Sequence, residues 1–204
     1  MKRLILPLFI LSMNVQAATL FTDDFEGNLS QWTTTGSAQI VADPLQADNA
    51  LNFTAVTLGG DTFTSSTIAG TVAGDSYILD FDYLGTCTDG NCGGFIGYSQ
   101  AQPGNHVWLA GTFPQYISGG FKSNVLDDNN TWQHYTINFT SLYDDFNLML
   151  EDFSFSGTEP LDAYFDNIVL TDANGPSAIP EPSIIALFGL GLVGLGFARR
   201  RMRS

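Results

Sequence analysis

Positive charge is what this chain has least of. Its 204 residues hold seven Lys and Arg against 21 Asp and Glu. Lys2 and Arg3 open the chain, Arg199, Arg200, Arg201 and Arg203 close it, and Lys122 stands alone between them. Every acid lies between Asp23 and Glu181, so that stretch carries a formal charge of −20. Nothing basic is there to release counterions from phosphates, which argues against a nucleic-acid partner. Such a surface suits solubility, divalent cations or neutral ligands. A 3.6-residue apolar stripe is also missing from the interior of the chain, which excludes a fold built on amphipathic helices. Internal repeats are absent, which excludes a propeller or a solenoid. Glutamate is sparse: Glu26, Glu151 and Glu159 are the ones before residue 180, and no pair stands out to flank a glycosidic bond. Disorder, the usual companion of high net charge, is excluded by the regular spacing of Phe, Tyr, Trp, Ile and Leu.

The two ends carry their own message. Lys2 and Arg3 precede an apolar run over residues 4–13, and Val15-Gln16-Ala17 form a small-x-small site. This predicts a secretory signal peptide over residues 1–17, cut by signal peptidase after Ala17 or next to it at Ala18. At the other end Pro180, Glu181 and Pro182 are followed by sixteen apolar residues, 183–198, and then by Arg199, Arg200, Arg201 and Arg203. A helix of that length rises about 24 Å, slightly less than the hydrocarbon core, and flanking Arg stems can extend it. The arginines would hold its C-terminus on the cytoplasmic side.

This order of Pro-Glu-Pro, apolar span and basic tail resembles the PEP-CTERM sorting signal. The resemblance implies cleavage near Pro180, Glu181 and Pro182 by an intramembrane exosortase. It also implies anchoring in the inner membrane before processing, a later place on the cell surface or in the extracellular matrix, and exopolysaccharide as the setting. An ordinary tail anchor is the alternative. The tail is also associated with proteins labelled ice-binding, but Thr33-Thr34-Thr35 and Thr62-x-Thr64 do not repeat into a regular threonine array.

Residues 18–171 read as one all-β domain, with 172–179 as a spacer. Period two dominates. Tyr77, Leu79, Phe81 and Tyr83 alternate with Asp80 and Asp82, and Gln133, Tyr135, Ile137 and Phe139 with Trp132, His134, Thr136 and Asn138. Phe146, Leu148 and Leu150 alternate with Asn147, Met149 and Glu151. Further strand-sized runs lie at 38–41, 51–57, 95–99, 107–113 and 163–171, with turns at Gly59-Gly60-Asp61, Ala73-Gly74-Asp75, Asp89-Gly90-Asn91 and Gly119-Gly120, and over residues 127–130. Many short strands predict an antiparallel β-sandwich. The opening Asp24-Phe25-Glu26-Gly27, the segment Trp132-Gln133-His134-Tyr135 and the closing Tyr164-Phe165-Asp166-Asn167-Ile168 are similar to those of galactose-binding-like jelly rolls, including carbohydrate-binding modules.

That resemblance implies neighbouring first and last strands, and with them convergence of Asp24, Glu26 and Asp166. Hard oxygens of this kind suit a structural calcium, which takes six to eight of them at about 2.3–2.6 Å. The other reading of Asp166 is a turn stabilised by its own side chain. Cys87 and Cys92 flank a turn in an exported chain and predict a disulfide. A soft-metal site there would need His106 or His134 as well. Sugar sites combine rings that stack on sugar faces with groups that bond hydroxyls. Trp108, Tyr116, His106 and Asn105, beside Gly-Pro turns, are the predicted ligand-binding residues, whereas Trp32 and Trp132 are assigned to the core. Gly97-Tyr98-Ser99-Gln100-Ala101 superficially resembles a nucleophile elbow but lacks the helix that motif needs. The chain thus reads as a non-enzymatic surface or matrix protein that binds or organises extracellular polysaccharide. The alternatives are a structural or adhesive protein without a defined ligand, and a secreted hydrolase.

Overall fold

The computed structural model describes residues 17–34, 38–53, 60–88, 90–100, 105–154 and 162–174. The signal segment up to Gln16, the apolar span 183–198, Pro180, Glu181, Pro182 and the four terminal arginines lie outside the described residues. Ala17–Asn174 form one compact unit. Among the described residues no helix is long and apolar enough to cross a membrane.

Alternation of apolar and polar side chains builds eleven strands among the described residues. They are β1 (Ala18–Asp23), β2 (Thr33–Thr34), β3 (Ala38–Ala42), β4 (Asn49–Phe53), β5 (Gly60–Thr67), β6 (Ser76–Gly85), β7 (Cys92–Ser99), β8 (His106–Gly111), β9 (Gln133–Thr140), β10 (Asn147–Ser154) and β11 (Ala163–Asp172). All the strand pairs are antiparallel. One sheet runs β3-β4-β11-β6-β9, and β1 joins it against the second half of β11. The other runs β2-β5-β10-β7-β8. The two sheets form a β-sandwich, with first and last strands adjacent as the jelly-roll resemblance implies.

The inner faces supply one core. Tyr77, Leu79, Phe81 and Tyr83 of β6 meet Ile96 and Tyr98 of β7, Leu148 and Leu150 of β10, and Phe165, Ile168 and Leu170 of β11. Each such side chain contributes roughly 1.5–3 kcal/mol by leaving water. Trp32 is buried among them, edge-on to Phe21 at 5.5 Å. Trp132 is not: it is half-buried and outside the core cluster. It has the parity of His134 and Thr136, which are exposed, and so belongs to the outer side of the sheet.

The turn expected at Gly59-Gly60-Asp61 is also corrected, because β5 begins at Gly60 and pairs with β10 over its whole length. Its sequence, rich in Thr and Ser, lacks the apolar alternation that would have announced it. In β11 a bulge between Asp166 and Val169 places Asn167 at φ 51° and turns Asp166 and Asn167 toward the outer face.

Candidate functional site

The outer face of the five-stranded sheet is aromatic. Period two sends Met149, Glu151 and Phe153 of β10 to the side away from the core, and register places Glu151 opposite Phe95 of β7. Trp108 of β8 lies beside Phe95 at 5.5 Å between ring centroids, and His106 lies 5.5 Å from Trp108. The chain after β8 folds back over this face. Trp108 N–H donates to Ser118 Oγ at 2.9 Å, Ser118 N–H to Trp108 O at 3.1 Å, and Asn124 Nδ2 to Leu109 O at 3.0 Å. These bonds seat Phe113, Ile117 and Phe121 on Phe95, Trp108 and Met149 as a second apolar cluster. A Cβ at Gly111 would collide with the Phe95 ring and one at Gly97 with Trp108, so both glycines allow the close approach.

Tyr116 crowns the cluster at 48 % exposure. Its ring contacts Phe153 at 5.8 Å, and Phe95 and Phe113 at 6.4 Å each. Trp108, Tyr116 and His106 are thus brought together, but with unequal exposure. Trp108 is only 9 % exposed and acts as the floor of the cluster rather than its edge. His106 and Asn105 are exposed at the start of β8. Glu151, buried at 4 % exposure and paired across the strands with Phe95, is a residue of this face that the sequence did not mark as a site residue. Its alternation with Met149 and Phe153 was the available signal.

The opposite outer face is polar. His134 Nδ1 is 2.8 Å from Asp82 Oδ1, Thr136 Oγ1 donates to Asp80 Oδ1 at 2.5 Å, and Asn167 Nδ2 donates to Asp82 Oδ2 at 2.9 Å. The predicted calcium ligands fall around one end of this face. Glu26 accepts the Asn49 backbone N–H at 2.7 Å and Asn49 Nδ2 at 2.9 Å, which fastens it beside Asp48. Asp166 is almost wholly buried, and burial pushes its carboxyl up to about 7. The Asn167 N–H opposes that rise, while Asp48, Asp82 and Asp43 reinforce it. Asp43 Oδ1 accepts from Leu45 and Gln46 at 2.6 and 3.0 Å, whereas its buried Oδ2 accepts no hydrogen bond. Asp24 is exposed and caps a local turn through Glu26 N–H at 3.2 Å. The carboxylates facing Asp166 are therefore Asp43 and Asp48 of the loop before β4 and Asp82 of β6, none of which the sequence marked as a metal ligand.

A cleft of about 500 Å³ opens between the sheets at the β6–β9 side, lined by Tyr77, Tyr98, Phe121 and Phe139 with Ser76 and Thr140. Ser99, the central residue of the elbow-like stretch, is fully buried on β7. The predicted disulfide is present, with Cys87 and Cys92 joined across a Cα–Cα distance of 5.6 Å.

Residues 178–201 match the PEP-CTERM protein-sorting motif. The match includes Pro180, Glu181, Pro182, Arg199, Arg200 and Arg201, and the motif indicates an exported protein that is membrane-anchored before processing. No curated protein matches the chain. The described domain is similar in fold to the C-terminal family 22 carbohydrate binding module of Clostridium thermocellum Xyn10B, at 14 % identity and TM-score 0.53, covering 78 % of this chain and 96 % of that one. A xylan-binding domain of the same module family gives 15 % identity and TM-score 0.52 over 78 % and 97 % of the two chains. The K2 cleaved adhesin domain of Lys-gingipain gives 15 % and 0.50 over 76 % and 99 %. At these identities the likeness is one of fold, a jelly-roll-like sandwich.

Proposed function

We propose that this protein is an exported, exosortase-sorted surface or matrix component whose β-sandwich binds extracellular polysaccharide without catalysing a reaction on it. The observation that carries the reading is the gathering of Phe95, Trp108, Phe113, Tyr116 and Phe153 on one sheet face, with Tyr116 half exposed above them. Sugar rings stack their apolar faces on such aromatics, and His106 and Asn105 at the margin supply groups for hydroxyls. The similarity in fold to xylan-binding modules supports the same reading, and the exported location supplies the substrate. A high negative charge favours a neutral or cation-bridged polysaccharide over an acidic one.

Calcium belongs to the proposal as a structural ion. Glu26, Asp43, Asp48 and Asp166 are hard oxygen donors at one end of the polar face, and the undonated Asp43 Oδ2 fits a cation ligand. An adhesive role without a defined sugar ligand is the second reading, and the adhesin-domain neighbour in fold favours it.

The test is affinity electrophoresis of the full chain in detergent through gels that hold a soluble polysaccharide, xylan first. Retention is expected, and Tyr116→Ala should reduce it about tenfold or more with an unchanged melting temperature, because an exposed ring contributes stacking rather than core packing. Unretarded migration across the whole polysaccharide panel would leave the adhesive reading in place of this one.

A further inference from the structure

At the far end of β10 three ligating side chains meet inside the protein, with a further buried carboxyl, Asp152, beside one of them. Cys87 and Cys92 close the loop between β6 and β7, and a carboxylate oxygen of Asp162 lies within 4.8 Å of both their sulfurs. Asp162 is held by the start of β11, where its backbone carbonyl accepts Thr86 N–H at 2.8 Å and so fastens it to the same loop. Asp152 comes from β10, opposite Gly94 of β7. It is completely buried, with its carboxyl beside that of Asp162 and the backbone of Ala163. Two carboxyls this deep cannot both hold charge unless a proton or a cation lies between them.

We propose that Cys87, Cys92, Asp162 and Asp152 form a closed site for a zinc-like divalent cation when the two cysteines are thiols, and that the disulfide is the metal-free state of the same site. The donor set supports four-coordination. Zinc takes thiolate sulfur at about 2.3 Å and carboxylate oxygen at about 2.0–2.2 Å in a tetrahedron, so the Cys87, Cys92 and Asp162 atoms, within 4.8 Å of one another, need only small shifts to share an ion, and Asp152 beside Asp162 is the fourth donor. All four residues are buried. Two thiolates, two carboxylates and the ion sum to the same net charge as a four-cysteine zinc site. A hard cation such as calcium would gain nothing from the sulfurs.

The chemistry balances without an added reductant, because the chain is synthesised with both thiols reduced. Binding displaces the thiol protons and any proton shared by the aspartates. Forming the disulfide later removes two electrons, which a dithiol–disulfide oxidant accepts, and sets the ion free. The aspartates then retain a proton in its place. This site is separate from the polar face that carries Asp166.

The experiment takes the full chain in detergent, reduced by a phosphine and freed of metal, and titrates it with cobalt(II) as a spectroscopic probe. One equivalent should bind with thiolate-to-cobalt charge-transfer absorption and the intense visible bands of a tetrahedral ion. Zinc should abolish both, excess calcium should leave them, and the oxidised chain should give neither. Asp162→Asn and Asp152→Asn should each weaken cobalt binding at least about tenfold, with the oxidised variants checked for native melting. A reduced wild-type chain without charge-transfer absorption overturns the proposal, and this readout does not depend on any variant folding. Undiminished affinity in the folded Asp162→Asn chain also overturns it, because the cysteines would then bind without the carboxylate.

Discussion

A single carboxylate, Asp23, fixes the entry into the sandwich. Its Oδ1 accepts Phe25 N–H at 2.9 Å, which supports the unusual φ of 51° at Phe25, and its Oδ2 accepts the Trp32 indole N–H at 2.7 Å. The indole can be buried only because its polar edge has this partner. The other two tryptophans divide differently. Trp108, 9 % exposed and packed between Phe95 and His106, anchors the outer cluster, while half-buried Trp132 lies outside both apolar clusters. Trp108→Ala is therefore expected to cost about 3–5 kcal/mol of unfolding free energy, in the range of large core truncations. Trp132→Ala should cost clearly less. Urea melts of the two variants decide the point, and a larger loss for Trp132 would contradict the assignment.

At the scale of elements, the strands are held together at the disulfide end by a hydrogen-bonded hub. Tyr83 of β6 donates from its hydroxyl to Asp128 Oδ1 at 2.8 Å and accepts Gly94 N–H of β7 at 3.0 Å, so one phenol ties the two sheets and the loop before β9. Burial raises the Asp128 carboxyl to about 6, against the opposing Tyr83 hydrogen bond and with a further rise from Asp127. The folded state therefore binds more protons than the unfolded chain between about pH 4 and 6, and unfolding free energy falls as pH rises through that window. The contribution is fully present below the unfolded carboxyl value near 4 and lost above about 6. Asp128→Asn should flatten this part of the melting-temperature profile relative to wild type. An identical slope in the variant would assign the pH dependence to other groups.

For the whole molecule, the dominant quantity is the charge of −20 between Asp23 and Glu181. Self-repulsion at this level weakens the compact state, and bound cations relieve it. If calcium joins Glu26, Asp43, Asp48 and Asp166, an ion at about 100 times its dissociation constant contributes about 2.7 kcal/mol. Chelator should lower the melting temperature of wild type and have little further effect on Asp166→Asn. A wild-type melt indifferent to chelator at fixed ionic strength would remove calcium from the proposal.

What the sequence determined by itself was local or periodic. The sorting motif is a contiguous string, legible without any fold. Alternation in β6, β9 and β10 announced a sandwich because a pleated strand turns successive side chains to opposite faces. The Cys87–Cys92 bridge was legible because the partners are close in the chain. Tertiary structure decided what alternation leaves open: which outer face another segment covers, and which distant acids meet. Residues 112–126 bury Met149 and Trp108 on a side that period two alone marks as outward. The β11 bulge and the loop before β4 set Asp166 toward Asp43 and Asp48 instead of Asp24, and the end of β10 sets Asp152 beside Asp162. Those meetings join side chains carried by different strands and loops, so only the packing of one strand against another could specify them.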